Sequence, residues 1–459
     1  MSTNHFAAPD ISLKAIGKLS GPILVANLAI IGGATIDTIM AGHLGANHLA
    51  AIALGGASMV SVFMGLVGIL QGMSPLVGHH FGSHRFQSIG YEMSQNLWIV
   101  LLLCLFGMPI LGWTELWTSL GHLEGEVKTL ASQYLFIIML GLPAALANRT
   151  FVALNAAVSR PKITMYITLL CLALKAPFNA LFMYGWFGLP AMGAPGAAVS
   201  SLMTYSIALI CFILVWCNDP YFKRMHTGQF HWPNVSAIKE QLKIGIPIGL
   251  SMFFETSSFT LMAIFIARFG AITLSAHQIV ANITAMCFMI PLSIGIASTV
   301  LVAQSLGAGS PKTAYEATKR THYLAIVIAA VMSAVLYLAR FDIISLYTND
   351  SEVINLAASV IIFASIYHVF DAMQCVGANA LRGYRVTMVP MVLYGILLWG
   401  VGLGGGYYMG FDGSLFNGPY GIHGFWMMVA TGLFFAGLVL MALAFWVAKE
   451  KAKDERHHY

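Results

Sequence analysis

Charge is what this sequence has least of. Of its 459 residues only 9% are Asp, Glu, Lys or Arg, while 58% are hydrophobic; a soluble domain carries about 25% charged residues. That shortage excludes a soluble globular fold. The apolar runs do not alternate with polar residues, which argues against a β-barrel. Cysteine is scarce as well. Cys104, Cys171, Cys211, Cys217, Cys287 and Cys375 form no CxxC pair, so neither a disulfide framework nor a zinc site is expected. No GxSxG, HExxH or Walker lysine loop occurs, and the fifteen histidines lack metal-ligand spacing. An intramembrane protease or an ATPase is thereby disfavoured, no cofactor is expected, and the chain reads as something other than an enzyme. The first 13 residues hold no apolar region followed by a small-residue cleavage site, so no removable signal peptide is expected.

What is present is a series of long apolar runs. Many reach 20 residues, about the length that crosses ~30 Å of hydrocarbon as a helix. Twelve spans are predicted, at 16–41, 48–81, 89–113, 127–158, 163–186, 195–217, 242–268, 272–308, 312–339, 353–382, 387–409 and 421–448. Prolines interrupt several of them, including Pro22, Pro177, Pro247 and Pro291. Membrane helices tolerate this where neighbours satisfy the freed carbonyls. The stretch Ser20 to Gly45 returns 225 residues later: Pro22 matches Pro247, Gly45 matches Gly270, and the match runs on to Gly82 and Gly307. Two homologous six-helix lobes follow: residues 1–217 and 242–448, joined by a polar linker at 218–241 and ending in a tail at 449–459. Six is even, so both copies insert the same way up, as a parallel repeat with a pseudo-two-fold axis along the membrane normal.

Orientation follows from lysine and arginine. With both termini inside, 18 of the 23 basic residues fall on inner segments, and only Lys128, Arg268 and Arg340 fall outside or at the outer edge. This distribution accounts for the net charge of +5 without a nucleic-acid partner. A multi-pass protein of a bacterial inner membrane, with cytoplasmic termini, is expected, and a monomer.

Three acids stand inside spans: Asp37, Glu255 and Asp371. A carboxylate at bilayer depth is costly unless it is hydrated, paired or protonated, and such residues face the protein interior. At ~1.5 Å per residue, Glu255 lies ~20 Å and Asp371 ~16 Å from the inner ends of their spans. The two can meet near the midplane and share a proton or hold a cation such as Na⁺. Asp37 lies ~30 Å from the inner end of its span. Tyr367 stands one turn before Asp371 and can ligate or shield a cation. In the fifth span, Asn179 can bond Asp37. Lys175, one turn earlier on the same face, can pair with Asp37, remain a neutral amine or reach a cavity. The 25 Met and 28 Phe suit a pocket for flat, cationic or amphiphilic compounds, although such residues also serve as plain packing.

Several stretches resemble one family. SGPILVANLAIIGGATIDTIMAGHLG is similar to the opening helix of multidrug and toxic compound extrusion (MATE) transporters. LSMFFETSSFTLMAIFIARFGAITLSAHQIVANI and DAMQCVGANALRGYRVTMVP resemble the seventh, eighth and tenth spans of the NorM-type branch. The resemblance implies twelve spans in two lobes and antiport of organic cations against H⁺ or Na⁺. It implies a second-lobe cation site at Glu255, Asp371 and Tyr367, and a first-lobe site at Asp37 and Asn179. Some relatives carry an aspartate four residues after that asparagine; here the position is Met183. Lys175 also departs from the family pattern. The alternative within the superfamily is a lipid-linked oligosaccharide flippase. That function calls for a large cationic cavity, whereas the spans here hold only Arg149 and Lys175 as cations.

Overall fold

The computed structural model describes residues 7–121, 123–225, 230–414 and 417–454. They form helices and connecting loops, with no strand among the described residues. Twelve helices are long and apolar enough to cross a membrane. They are α1 (Leu13–Leu44), α2 (Ala46–Gly82), α3 (Phe86–Gly112), α4 (Gly125–Ala157), α5 (Pro161–Met183) and α6 (Ala194–Asn218). The second six are α7 (Val235–Phe269), α8 (Ala271–Gly307), α9 (Pro311–Leu338), α10 (Ser351–Gly383), α11 (Met388–Phe411) and α12 (Gly421–Lys453). Every predicted span finds its helix. Two differ in detail. α2 is broken at Gln71-Gly72, and α11 contains a π-helical stretch at Gly395–Gly404.

The internal repeat is written into the backbone. Gly45 (φ 126°) separates α1 from α2, and Gly270 (φ 100°) separates α7 from α8. Both sit in a region that L side chains rarely enter, so glycine is the residue that fits. The same 225-residue spacing relates His84 (φ 56°) to Gly309 (φ 74°) and Gly188 (φ 85°) to Gly413 (φ 58°). His84 adopts by strain what its counterpart adopts freely.

The chain forms two compact units. One is Gly21–Gly249; the other is Leu250–Tyr459 together with Met1–Ser20. The divisions fall inside α1 and α7, not at the ends of the linker. The expected linker also begins α7 early: residues from Val235 onward are already helical. In the first unit, the start of α7 lies against α2 at glycines. A Cβ at Gly68 would come within 2.4 Å of the Gly249 Cα, and one at Gly245 within 2.1 Å of the Ile69 carbonyl oxygen. Small residues let membrane helices approach this closely, where packing rather than hydrophobicity drives association.

A buried polar network holds that contact. Gln241 of α7 donates to the Glu92 carboxylate (2.6 Å) and to the Glu92 carbonyl (2.9 Å). Its Oε1 accepts from Asn96 Nδ2 (2.9 Å), and Asn96 Oδ1 accepts from Thr150 of α4 (2.7 Å). The linker lies on the same face of α3. Trp98 and Gln95 donate to the carbonyls of His231 and Trp232, and the Asn234 amide donates to Gln95. Glu92 is therefore a fourth acid inside a span, and it is buried at 8% exposed. Sequence reasoning had placed it at a span end.

The second unit packs around α8, α10 and α12. Trp426 and Phe425, both fully buried, anchor its core.

Candidate functional site

Each unit holds a carboxylate site. In the first, α1 supplies Asp37, α5 supplies Lys175 and Asn179, and α6 supplies Ser201. The spacing on α5 matters: residues four apart share one helix face. Asn179 Nδ2 donates to Asp37 Oδ1 at 2.7 Å. Lys175 Nζ lies 3.0 Å from Asp37 Oδ2 and donates to Ser201 Oγ at 2.6 Å. Asp37 and Lys175 are 7% and 6% exposed, and Asn179 is fully buried. Of the three readings of Lys175, the geometry is that of the ion pair. Met183 is fully buried in the apolar core.

In the second unit, α7 supplies Glu255 and α10 supplies Asp371, Tyr367 and Gln374. Gln374 is three residues after Asp371, so the two share a face. Its Nε2 donates to Asp371 Oδ1 (3.0 Å) and to Glu255 Oε1 (3.5 Å). One amide thus spans the gap between the carboxylates. Asp371 is buried and Glu255 part-buried. On the far side, Tyr394 of α11 donates its hydroxyl proton to Gln374 Oε1. The Tyr367 ring stacks on Trp426 at 6.1 Å, and its hydroxyl lies within reach of Thr284 of α8 and of the Asp371 charge. Arg382, at the far end of α10, lies within electrostatic reach of Glu255.

The two sites have different donor chemistry. Asp37 faces a protein ammonium and an amide. Glu255 and Asp371 face one another across a neutral amide. Hard cations take oxygen ligands, so two carboxylates fit a monovalent cation or a proton. No group of three or more His, Cys, Asp or Glu side chains placed to hold a metal ion occurs among the described residues. Sequence reasoning missed Gln374, Tyr394 and Ser201. A search for amides one turn from a membrane acid would have found Gln374. The remaining span cation, Arg149, lies 5.4 Å above the ring of Phe63.

The MatE family model matches the chain twice, over residues 22–181 and 247–408; the two matches begin at Pro22 and Pro247, the repeat-related prolines. A probable multidrug resistance protein NorM from Aromatoleum aromaticum is 36% identical over 431 residues, covering 93% of each chain. The NorM of Neisseria meningitidis serogroup B is 31% identical over 450 residues, 96% of each chain. Multidrug resistance protein PmpM of Pseudomonas aeruginosa is 33% identical, covering 93% of this chain and 90% of its own. The crystal structure of the eukaryotic MATE transporter AtDTX14 superposes with a TM-score of 0.84 at 19% identity, over 96% of this chain and 98% of that one. An outward-facing MATE family transporter of the MOP superfamily superposes with a TM-score of 0.85 at 18% identity, over 99% of both chains. With the family model matched over both halves and close full-length relatives, the chain is a multi-pass membrane protein that belongs to the MatE family.

Proposed function

We propose that this protein is a secondary active multidrug exporter. It moves cationic and amphiphilic organic compounds out of the cell by antiport with H⁺ or Na⁺. It works in a bacterial inner membrane with both termini in the cytoplasm, where its lysine- and arginine-rich segments lie. The relatives named as multidrug resistance proteins support the cargo class. The observation that carries the coupling is the Glu255–Asp371 pair, two acids from different helices joined by one amide at span depth.

Two ionised carboxylates this close repel one another, and a proton or a cation relieves that repulsion. Uptake of the ion changes the net charge of the pair and so the packing preference of α7 against α10. A ligand shifts a two-state balance only by its differential affinity for the two states. Here the ion is bound more tightly in the state that brings α7 and α10 together, and drug in the other. Lys175 already neutralises Asp37, so the first-unit acid responds to protons or drug only when that pair opens. Both span cations have partners in the first unit, Lys175 on Asp37 and Arg149 on Phe63. With Lys175 and Arg149 so engaged, the span acids favour cationic compounds over the phosphate-bearing lipid of the flippase reading.

The test is ethidium efflux from proteoliposomes, with a pH gradient and a Na⁺ gradient imposed separately. Glu255→Gln and Asp371→Asn should each abolish gradient-driven efflux while the protein elutes as the wild type does. Full efflux by both variants sinks the proposal.

A further inference from the structure

Gln374 is fully buried, and the coupling steps above make no use of it. Its orientation is set from both ends. The two carboxylates offer only acceptors, so the NH₂ faces them. The Tyr394 hydroxyl donates to the opposite end. Tyr394 also immediately precedes the π-helical stretch of α11, and such turns are concentrated at functional positions. The same stretch touches the acid-bearing helix again: Trp399 Nε1 donates to Ser257 Oγ at 3.0 Å, two residues beyond Glu255. α11 is thus bonded to both helices that supply the carboxylates.

We propose that Gln374 is the third member of the cation site. It clamps the empty carboxylates as a donor and, after its amide turns, contributes Oε1 as a ligand to a Na⁺ ion held between Glu255 and Asp371. The inference rests on the coupling reading of those two acids. An amide N–H carries its positive end toward the position a cation must occupy, so the donor orientation and the loaded site exclude one another. Rotation exchanges repulsion for an oxygen ligand. Tyr394 accommodates both states because a phenol donates to Oε1 in one and accepts from NH₂ in the other. Arg382 lies at the end of α10 and donates to Asn379 Oδ1 at 3.2 Å, with Glu255 and Tyr394 within its electrostatic reach. Occupancy would thereby be reported to α11 through a single change of hydrogen-bond direction.

The experiment is equilibrium binding of ²²Na⁺ to the purified full chain, joined to infrared difference spectra recorded with and without Na⁺. Gln374→Leu should weaken Na⁺ binding by about tenfold or more, the worth of a ligand to a charged group. Gln374→Asn keeps the amide but is a methylene short, and should fall between Leu and wild type. In the wild type, Na⁺ should shift a side-chain amide carbonyl band that is absent from Gln374→Leu. Tyr394→Phe should move that band before Na⁺ is added. A purely structural role for Gln374 predicts no Na⁺-dependent amide band. The inference is overturned if the wild type binds no Na⁺, if the Leu and Asn variants bind as the wild type does, or if no such band appears. Glu255→Gln separates the two ideas. If it binds Na⁺ normally, the coupling reading falls with this one; if it loses binding while Gln374→Leu retains it, only this inference falls.

Discussion

The two units place membrane acids on repeat-related helices and then treat them differently. Asp37 is met by a lysine at 3.0 Å and an asparagine at 2.7 Å. Glu255 is met by a second acid through a glutamine. The first site carries its own counter-ion; among the described residues the second has no ion pair, and in the function proposed above it takes a proton or cation from solution. A duplicated scaffold therefore holds one acid paired with a lysine and one pair of acids bridged by an amide. The prediction with the largest effect follows from this contrast. Lys175→Met strands a buried carboxylate, and breaking a buried pair costs about 3–5 kcal/mol. Thermal denaturation of the purified protein should show a loss of several degrees, with the double variant Lys175→Met/Asp37→Asn recovering most of it. Glu255→Gln should do the opposite, leaving the melting temperature unchanged or higher, because it removes like-charge crowding. Equal losses for Lys175→Met and Glu255→Gln would dissolve the comparison.

Exchanging the charges is the next test. Gln374→Lys gives the second site an internal ammonium between two acids. It should abolish Na⁺ binding and gradient-driven efflux while the protein still folds. Lys175→Gln gives the first site an amide in place of its cation and should add a second class of saturable Na⁺ binding, removed again by Asp37→Asn. An unaltered binding stoichiometry in Lys175→Gln would show that the lysine is not what closes the first site to cations.

How far these features could be read from the sequence depends on how unusual each residue is in lipid. Twelve spans stand out because each is a long apolar run, and the repeat stands out because Pro22, Gly45 and Gly82 recur at one fixed spacing. Asp37, Lys175 and Asn179 were legible because a charge in a span is rare and α5 spaces its two partners by one turn. Gln374 was not. A neutral amide costs far less than a charge in hydrocarbon, so nothing in composition marks it, and Tyr394 is one of 17 tyrosines. Glu92 sits three residues into its predicted span and resembles an end residue until Gln241 of α7 is seen to cover it. The start of α7 was lost because Ser236, Lys239, Glu240 and Lys243 are exposed, as in a linker, while Gln241 is buried against α3. The π-helical stretch has no periodic signature in GILLWGVGLG.

The Glu92 network offers a smaller test within the first unit, where an acid is held by the Gln241 amide at 2.6 Å with His80 Nε2 3.8 Å from its other oxygen. Gln241→Leu leaves the Glu92 carboxylate and the Asn96 amide short of partners, and should cost about 2 kcal/mol. Glu92→Gln keeps an acceptor for Gln241 and should cost about 1 kcal/mol. Thermal denaturation ranks them, and proteolysis between residues 230 and 234 should accelerate in the same order, since Gln95 and Trp98 bind that segment from the adjoining turns of α3. The reverse ranking would mean that the acid's charge, rather than its hydrogen bonds, holds the contact.

The smallest effect belongs to a pair that matches Lys175–Asp37 in length and differs in solvent. Lys128 Nζ lies 2.9 Å from Glu115 Oε1, with side chains 40% and 63% exposed. The Lys128 ammonium holds the Glu115 carboxyl below its ordinary value of 4.5. A lowered folded-state value stabilises the fold above the unfolded-state value, and that stability disappears as pH falls through the folded one. The melting-temperature difference between wild type and Lys128→Met should therefore be greatest at neutral pH and low salt. It should shrink in 0.5 M salt, where exposed charges are screened, and fade as pH falls from 4.5 through the lowered Glu115 value. The loss from Lys175→Met should persist in the same salt, because the Lys175 and Asp37 side chains are only 7% and 11% exposed. If added salt erased both differences alike, burial would not be what separates these two pairs.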